Sequence, residues 1–209
     1  MAGAQPSLVF LTSPNNPTGT AAPMDVIEAV CDAAPGIVVV DEAYAEFARE
    51  GTLSALSLLP RYPGLVVTRT MSKAFAMAGA RIGYLAAAPE LVEKLLLVRL
   101  PYHLSAVTQA VARAALALAD EPLATVTHLR AERDDLVRWL RQRGLDVADS
   151  DANFVLFGQF ESRRDVWQGL LDRGVLVREV GPPRWLRVTV GTSQEMTAFR
   201  SALDEVLSS

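Results

Sequence analysis

Three short polar segments carry residue types able to do chemistry, and each one follows an apolar run. SPNNPTGT (13–20) sets two asparagines among prolines and a glycine, residues that constrain a loop. Asp41-Glu42-Ala43-Tyr44 places carboxylates and a phenol directly after GIVVV (36–40). A carboxylate ending a buried strand needs a cationic or hydrogen-bonding partner. Thr70-Met71-Ser72-Lys73 closes LVVTRT (65–70), and Arg81 lies eight residues beyond Lys73, across the small apolar stretch AFAMAGA. Each segment also has a bland reading: a turn feeding a helix, an Asp that caps a helix N-terminus, and a solvated surface lysine. Against the last, Lys73 sits between a buried strand and an apolar stretch, which predicts a desolvated amine able to attack carbonyls.

Taken together the three segments hold a lysine for a Schiff base, an aspartate for a pyridinium, and an asparagine and a tyrosine for a phenolate oxygen. Ser72, Thr70 and Arg81 supply the hydroxyl and guanidinium donors that suit a phosphate. That is the inventory pyridoxal 5'-phosphate requires. The rigid presentation asked of Asn16 predicts a cis Asn16-Pro17 peptide.

The elements that must position these groups read as a β-α-β rhythm. Strands are predicted at 7–12, 36–40, 65–70 and 82–87, with a helix from Pro23 to Ala34 whose proline suits the first turn. That rhythm predicts an α/β fold with a mostly parallel sheet covered by helices, where ligands sit beyond the carboxyl ends of the strands. The second half changes character. Helices are predicted at 89–100, 105–119, 122–143, 162–172 and 193–207, and strands at 153–157, 175–179 and 185–190. A small α+β domain follows, with the boundary placed at PYHLS, giving domains 1–105 and 106–209.

Composition narrows the classes. Of 209 residues, 50% are apolar and 21% charged, and the formal charge is −4, a balance that excludes disorder. No basic cluster is present to meet a nucleic acid. No apolar run approaches the ~18–20 residues of a membrane span, and no signal-peptide pattern opens the chain. The single cysteine, Cys31, and the absence of metal-ligand spacing predict a metal-free protein of the reducing cytoplasm.

The order and spacing of SPNNPTGT, VVVDEAYAEF and TRTMSKAFAMAGARIGYL resemble the fold-type I aminotransferases, and within them the histidinol-phosphate branch. LVRLPYHLS (97–105), SDANFVLF (150–157) and WLRVTVGT (185–192) share that likeness, so the resemblance covers essentially the whole chain. It implies the later part of a cofactor-binding large domain followed by a small domain. By motif position it implies Lys73 as the Schiff-base lysine and Asp41 as partner of the pyridine nitrogen. Asn16 and Tyr44 fall to the ring oxygen, and Thr70, Ser72 and Arg81 to the cofactor phosphate. Arg187 matches the arginine that grips the acidic end of the substrate, which in this branch is a phosphate. Arg178 either assists it or is a solvated strand end, and Asn153 reads as structural.

The family's long N-terminal portion has no counterpart in this sequence, so the resemblance implies a truncated chain with an incomplete sheet and exposed apolar edges. The intact enzyme is expected to be a homodimer that exchanges an amino group between histidinol phosphate and a 2-oxoacid such as 2-oxoglutarate. The residues leave three alternatives open. One is an aminotransferase for aromatic or other amino acids. Another is an amino-acid-phosphate decarboxylase of the same fold, and the last is an inactive cofactor-binding module.

Overall fold

A computed structural model describes residues 5–208. The chain forms two compact units. The first comprises residues through Pro14, Ala21–Glu46 and Glu50–Ala124; the second comprises Asn15–Thr20, Phe47–Arg49 and residues from Thr125 on. The contacts therefore partition the chain differently from the expected 105/106 boundary. The dividing point between Ala124 and Thr125 falls inside a long helix, and two short segments of the first half fold with the second unit.

In the first unit, strands β1 (Leu8–Thr12), β2 (Ile37–Asp41), β3 (Leu65–Thr70) and β4 (Gly83–Ala87) form one sheet in that order. β1, β2 and β3 run parallel and β4 antiparallel. Val38, Val40, Leu65 and Val67 are buried in the core with Ile27 of helix α1 (Met24–Ala33). This pattern is what β-branched runs with a crossover helix produce. The register sets Asp41 beside Thr68 and Thr70 beside Gly83. The carboxyl ends of β1, β2 and β3 thus lie along one edge of the sheet, where the three polar segments begin. Helices α2 (Pro89–Val98) and α3 (Ala106–Ala117) follow. This unit exposes much apolar surface, including Phe10 on edge strand β1 (67% exposed) and Leu97 of α2 (85%).

The second unit takes most of helix α4 (Asp120–Gln142), then β5 (Asp146–Val147), β6 (Phe154–Gly158), α5 (Arg163–Asp172), β7 (Trp185–Thr189) and α6 (Ser193–Leu207). β5, β6 and β7 make an antiparallel sheet over a core that includes Leu136, Leu140, Phe157, Leu186, Phe199 and Leu203. The expected strand 175–179 is not formed; only Arg178 makes a bridge, to Arg187. Its neighbours spend their main-chain groups on α5 instead. The Val175 N–H donates to Leu170 O, and Val177 O accepts the Trp167 indole N–H at 3.0 Å. No described helix is long and apolar enough to cross a membrane.

Candidate functional site

In the first unit the loops after β2 and β3 converge. Asp41 ends β2 half-buried, and its Oδ1 accepts the Ala43 N–H (3.1 Å) and the Thr68 hydroxyl (3.3 Å). The first bond closes a local turn and is not the helix N-cap of the bland reading, because the next helical residues are the short turn Ala45–Phe47. Both bonds fall on one oxygen, so among the described residues Oδ2 keeps its full accepting capacity. Tyr44 follows in the same loop, and Lys73 Nζ lies 5.7 Å from the centre of its ring.

The Ser72 N–H donates to Thr70 Oγ1 (3.1 Å), and the two hydroxyls are 2.9 Å apart. Arg81 is carried to the same end by the antiparallel pairing of β3 and β4. The Met71 N–H donates to Ile82 O at 3.2 Å, directly after the Thr70–Gly83 pair. Arg81 adopts a left-handed conformation (φ 50°) and its guanidinium donates to Ala78 O at 3.0 Å. Non-glycine residues take that conformation at some cost, here where the chain turns back into β4.

One expectation is corrected. Lys73 is exposed, not desolvated. The stretch after it does not fold over the amine: Ala76, Ala78 and Gly79 are themselves exposed, and Ala78–Ala80 makes a separate short turn. Among the described residues the Lys73 amine forms no ion pair.

Beneath Asp41 lies a cluster that sequence reasoning left without a role. Glu42 is 3% exposed and accepts from the Ala55 N–H (2.7 Å), the Ser54 hydroxyl (2.7 Å) and both Nε (3.1 Å) and Nη2 (2.6 Å) of Arg69. Arg69 also reaches Glu46 at 3.3 Å. Burial pushes the Glu46 carboxyl above its usual range, with Arg69 pulling the other way. Burial also disfavours the charged Arg69 guanidinium, but the bonds to Glu42 together with the charges of Glu42 and Glu46 raise it overall. The available signal was the alternation in LVVTRT: Thr68 and Thr70 share one face of β3, so Arg69 faces the other, as does Glu42 relative to Asp41.

The second unit holds the remaining expected residues. Both Ser13-Pro14 and Asn16-Pro17 are cis, the second as expected. The loop 15–20 is fastened within this unit. The Asp151 N–H donates to Gly19 O (2.7 Å), and the Thr20 hydroxyl donates to Asp149 O (3.2 Å). Any Cβ at Gly19 would strike Ser150. Asn16 is exposed, and its Oδ1 accepts from the Arg187 guanidinium. Arg187 also lies over the Phe154 ring, 4.6 Å from its centre. Arg178 and Arg187 exchange both main-chain hydrogen bonds, each 2.9 Å. Asn153 contributes a main-chain carbonyl to the Val190 N–H at 2.9 Å, a structural role.

A lysine, an aspartate, two hydroxyls and an arginine thus lie at or beyond the strand ends of a mixed sheet. The chain belongs to the aminotransferase class I and II family, whose model matches residues 2–203. It is 71% identical over 199 residues to the histidinol-phosphate aminotransferase of Thermobifida fusca, covering 95% of this chain and 54% of that protein. It is 65% identical over 203 residues to histidinol-phosphate aminotransferase 3 of Burkholderia lata, covering 97% and 55%. The crystal structure of the Sinorhizobium meliloti histidinol-phosphate aminotransferase with pyridoxal-5'-phosphate superposes with a TM-score of 0.86 at 31% identity, covering 97% of this chain and 57% of that one. The chain thus spans about half the length of the curated relatives it matches.

Proposed function

We propose that the chain is the catalytic part of a pyridoxal-phosphate-dependent aminotransferase of histidine biosynthesis. Its amino substrate is histidinol phosphate, and its partner substrate is a 2-oxoacid, the 2-oxoglutarate/glutamate pair. The reading places it in the cytoplasm as a homodimer, with small molecules rather than nucleic acid or membrane as partners.

The residues fit the cofactor by the chemistry of their donor set. Asp41 offers an uncommitted carboxylate oxygen to a protonated ring nitrogen. Thr70, Ser72 and Arg81 offer hydroxyls and a guanidinium to a phosphate. Pyridoxal phosphate, when bound, supplies an aldehyde and an electron-accepting ring. Lys73 would supply the amine that condenses with that aldehyde with loss of water, and as a free amine it would carry the proton to and from the substrate Cα. Asp41 would hold the proton on the ring nitrogen through an ion pair. Tyr44 beside Lys73, and Asn16, are the hydrogen-bonding groups for the ring oxygen. Arg187, with Arg178, grips the substrate phosphate.

The observation that carries the substrate assignment is the Arg178–Arg187 bridge. A hydrogen-bonded antiparallel pair projects both side chains to one face. Two arginines carried on one face concentrate positive charge there, and a phosphate dianion can engage two guanidinia. The test is a half-reaction panel on the cofactor-loaded chain. Histidinol phosphate should convert the cofactor spectrum to its amine form faster than phenylalanine does, and glutamate should also react. Conversion by phenylalanine with none by histidinol phosphate contradicts the substrate assignment.

A further inference from the structure

We infer that the buried Glu42–Arg69 pair is a positioning device for Asp41, an inference that rests on the cofactor reading above. The two charges sit one residue beyond the paired positions Asp41 and Thr68, on the opposite face of the sheet. On the upper face Asp41 Oδ1 takes the Thr68 hydroxyl; on the lower face Glu42 takes Arg69. The ends of β2 and β3 are therefore pinned on both faces at one level. Only the lower pin is buried and charged on both sides.

The geometry is that of a clamp. Glu42 has four donors from two segments: the Ser54 hydroxyl and the Ala55 main chain, and two nitrogens of Arg69. Its own N–H donates to Thr68 O at 2.9 Å and the Asp41 carbonyl accepts the Ser13 N–H at 3.0 Å, so the backbone leaving Asp41 is held toward both neighbouring strands. Arg69 directly precedes Thr70, whose hydroxyl opens the phosphate cluster. One ion pair thus sets the spacing between the carboxylate assigned to the ring nitrogen and the hydroxyls assigned to the phosphate. A rigid bound molecule needs that spacing held, because loosely supported ligating groups lose affinity. The pair also leaves Asp41 chemically independent. Glu42 and Glu46 occupy the guanidinium, so the Arg69 charge is not spent on Asp41.

The test separates positioning from stability. Removing one partner leaves a lone buried charge and destabilises the fold, whereas removing both does not. The informative protein is therefore the double variant Glu42→Gln/Arg69→Met, with Arg69→Lys as the charge-conserving rescue. Two readouts apply: hydrogen exchange at the Ala43 amide, which bonds Asp41 Oδ1, and pyridoxal-phosphate affinity by absorbance titration. In a double variant that still unfolds cooperatively, Ala43 exchange should rise and the affinity fall, each about tenfold, with Arg69→Lys recovering part of both. Unchanged Ala43 exchange and unchanged affinity in the folded double variant overturn the inference. If the unsubstituted chain takes up no cofactor, that result strikes the functional reading, and the Ala43 comparison still decides whether the pair positions Asp41.

Discussion

Arg178 and Arg187 are cross-strand neighbours joined by two main-chain hydrogen bonds, although only Arg187 lies in a regular strand. Arg187 is the better braced of the two. It is partly buried, lies over Phe154 and donates to Asn16, whereas Arg178 is exposed. Arg187→Ala should therefore raise KM for histidinol phosphate about 100-fold, the scale of a lost charged hydrogen bond, and Arg178→Ala less than about tenfold. Steady-state kinetics with phosphorylated and unphosphorylated substrate checks this. Equal effects on both substrates contradict a phosphate role.

Asp41→Asn keeps an acceptor for Ala43 and Thr68 but removes the charge. It should weaken pyridoxal-phosphate binding about 10- to 100-fold with little change in thermal unfolding. Absorbance titration and calorimetry on the same sample test both halves of that expectation.

Helix α6 begins with a capping box in which the Thr192 side chain takes the Glu195 N–H and the Glu195 carboxylate takes the Thr192 N–H. That main-chain bond, with the Thr192 hydroxyl, holds the Glu195 carboxyl below its usual value of 4.5. A lowered carboxyl contributes stability above its unfolded pKa and loses it as pH falls through the folded one. The second unit should accordingly weaken below pH 4.5. Glu195→Gln should flatten that acid limb, and Thr192→Ala should cost about 1 kcal/mol at neutral pH. Urea unfolding across pH measures both.

Glu46 has the opposite sign. Burial first, and then Glu42, raise its carboxyl above 4.5, against the pull of Arg69. A raised carboxyl favours the fold below the unfolded value, and that contribution is lost as pH rises through the folded one. Glu46→Gln should remove that loss, so the variant gains stability relative to the parent as pH climbs from 4.5 toward neutrality. A variant that loses ground over that interval refutes the sign.

The strands of the first unit were legible because Val38, Val40, Leu65 and Val67 belong to apolar runs too short for helices. The placement of Asp41 and Thr70 at strand ends, with Lys73 in the loop beyond, was legible because polar groups directly after such runs have to lie there. Three features were not. The loop 15–20 was read as part of the first domain, yet its fastenings are to Asp149, Ser150 and Asp151. The segment 47–49 joins the second unit likewise, through Arg49 to Asp151 and through Phe47 O to the buried Arg133. No local pattern reports a pairing 102 residues apart. The strand expected at 175–179 had the right residues, but α5 took the main-chain groups a ladder would have used. Lys73 read as desolvated because its flanking residues are apolar, and small residues that turn away leave an amine in water.

The central claim is that Lys73 is the lysine that bonds the cofactor, and the sequence offers its own control: its only lysines are Lys73 and Lys94. Lys94 lies exposed in α2. The most direct measurement is borohydride reduction of the chain with stoichiometric pyridoxal phosphate, followed by peptide mass mapping. The account predicts the pyridoxyl group on the peptide containing Lys73, with loss of labelling and of visible absorbance in Lys73→Ala. Labelling of Lys94 in preference to Lys73, or none at all, would contradict it.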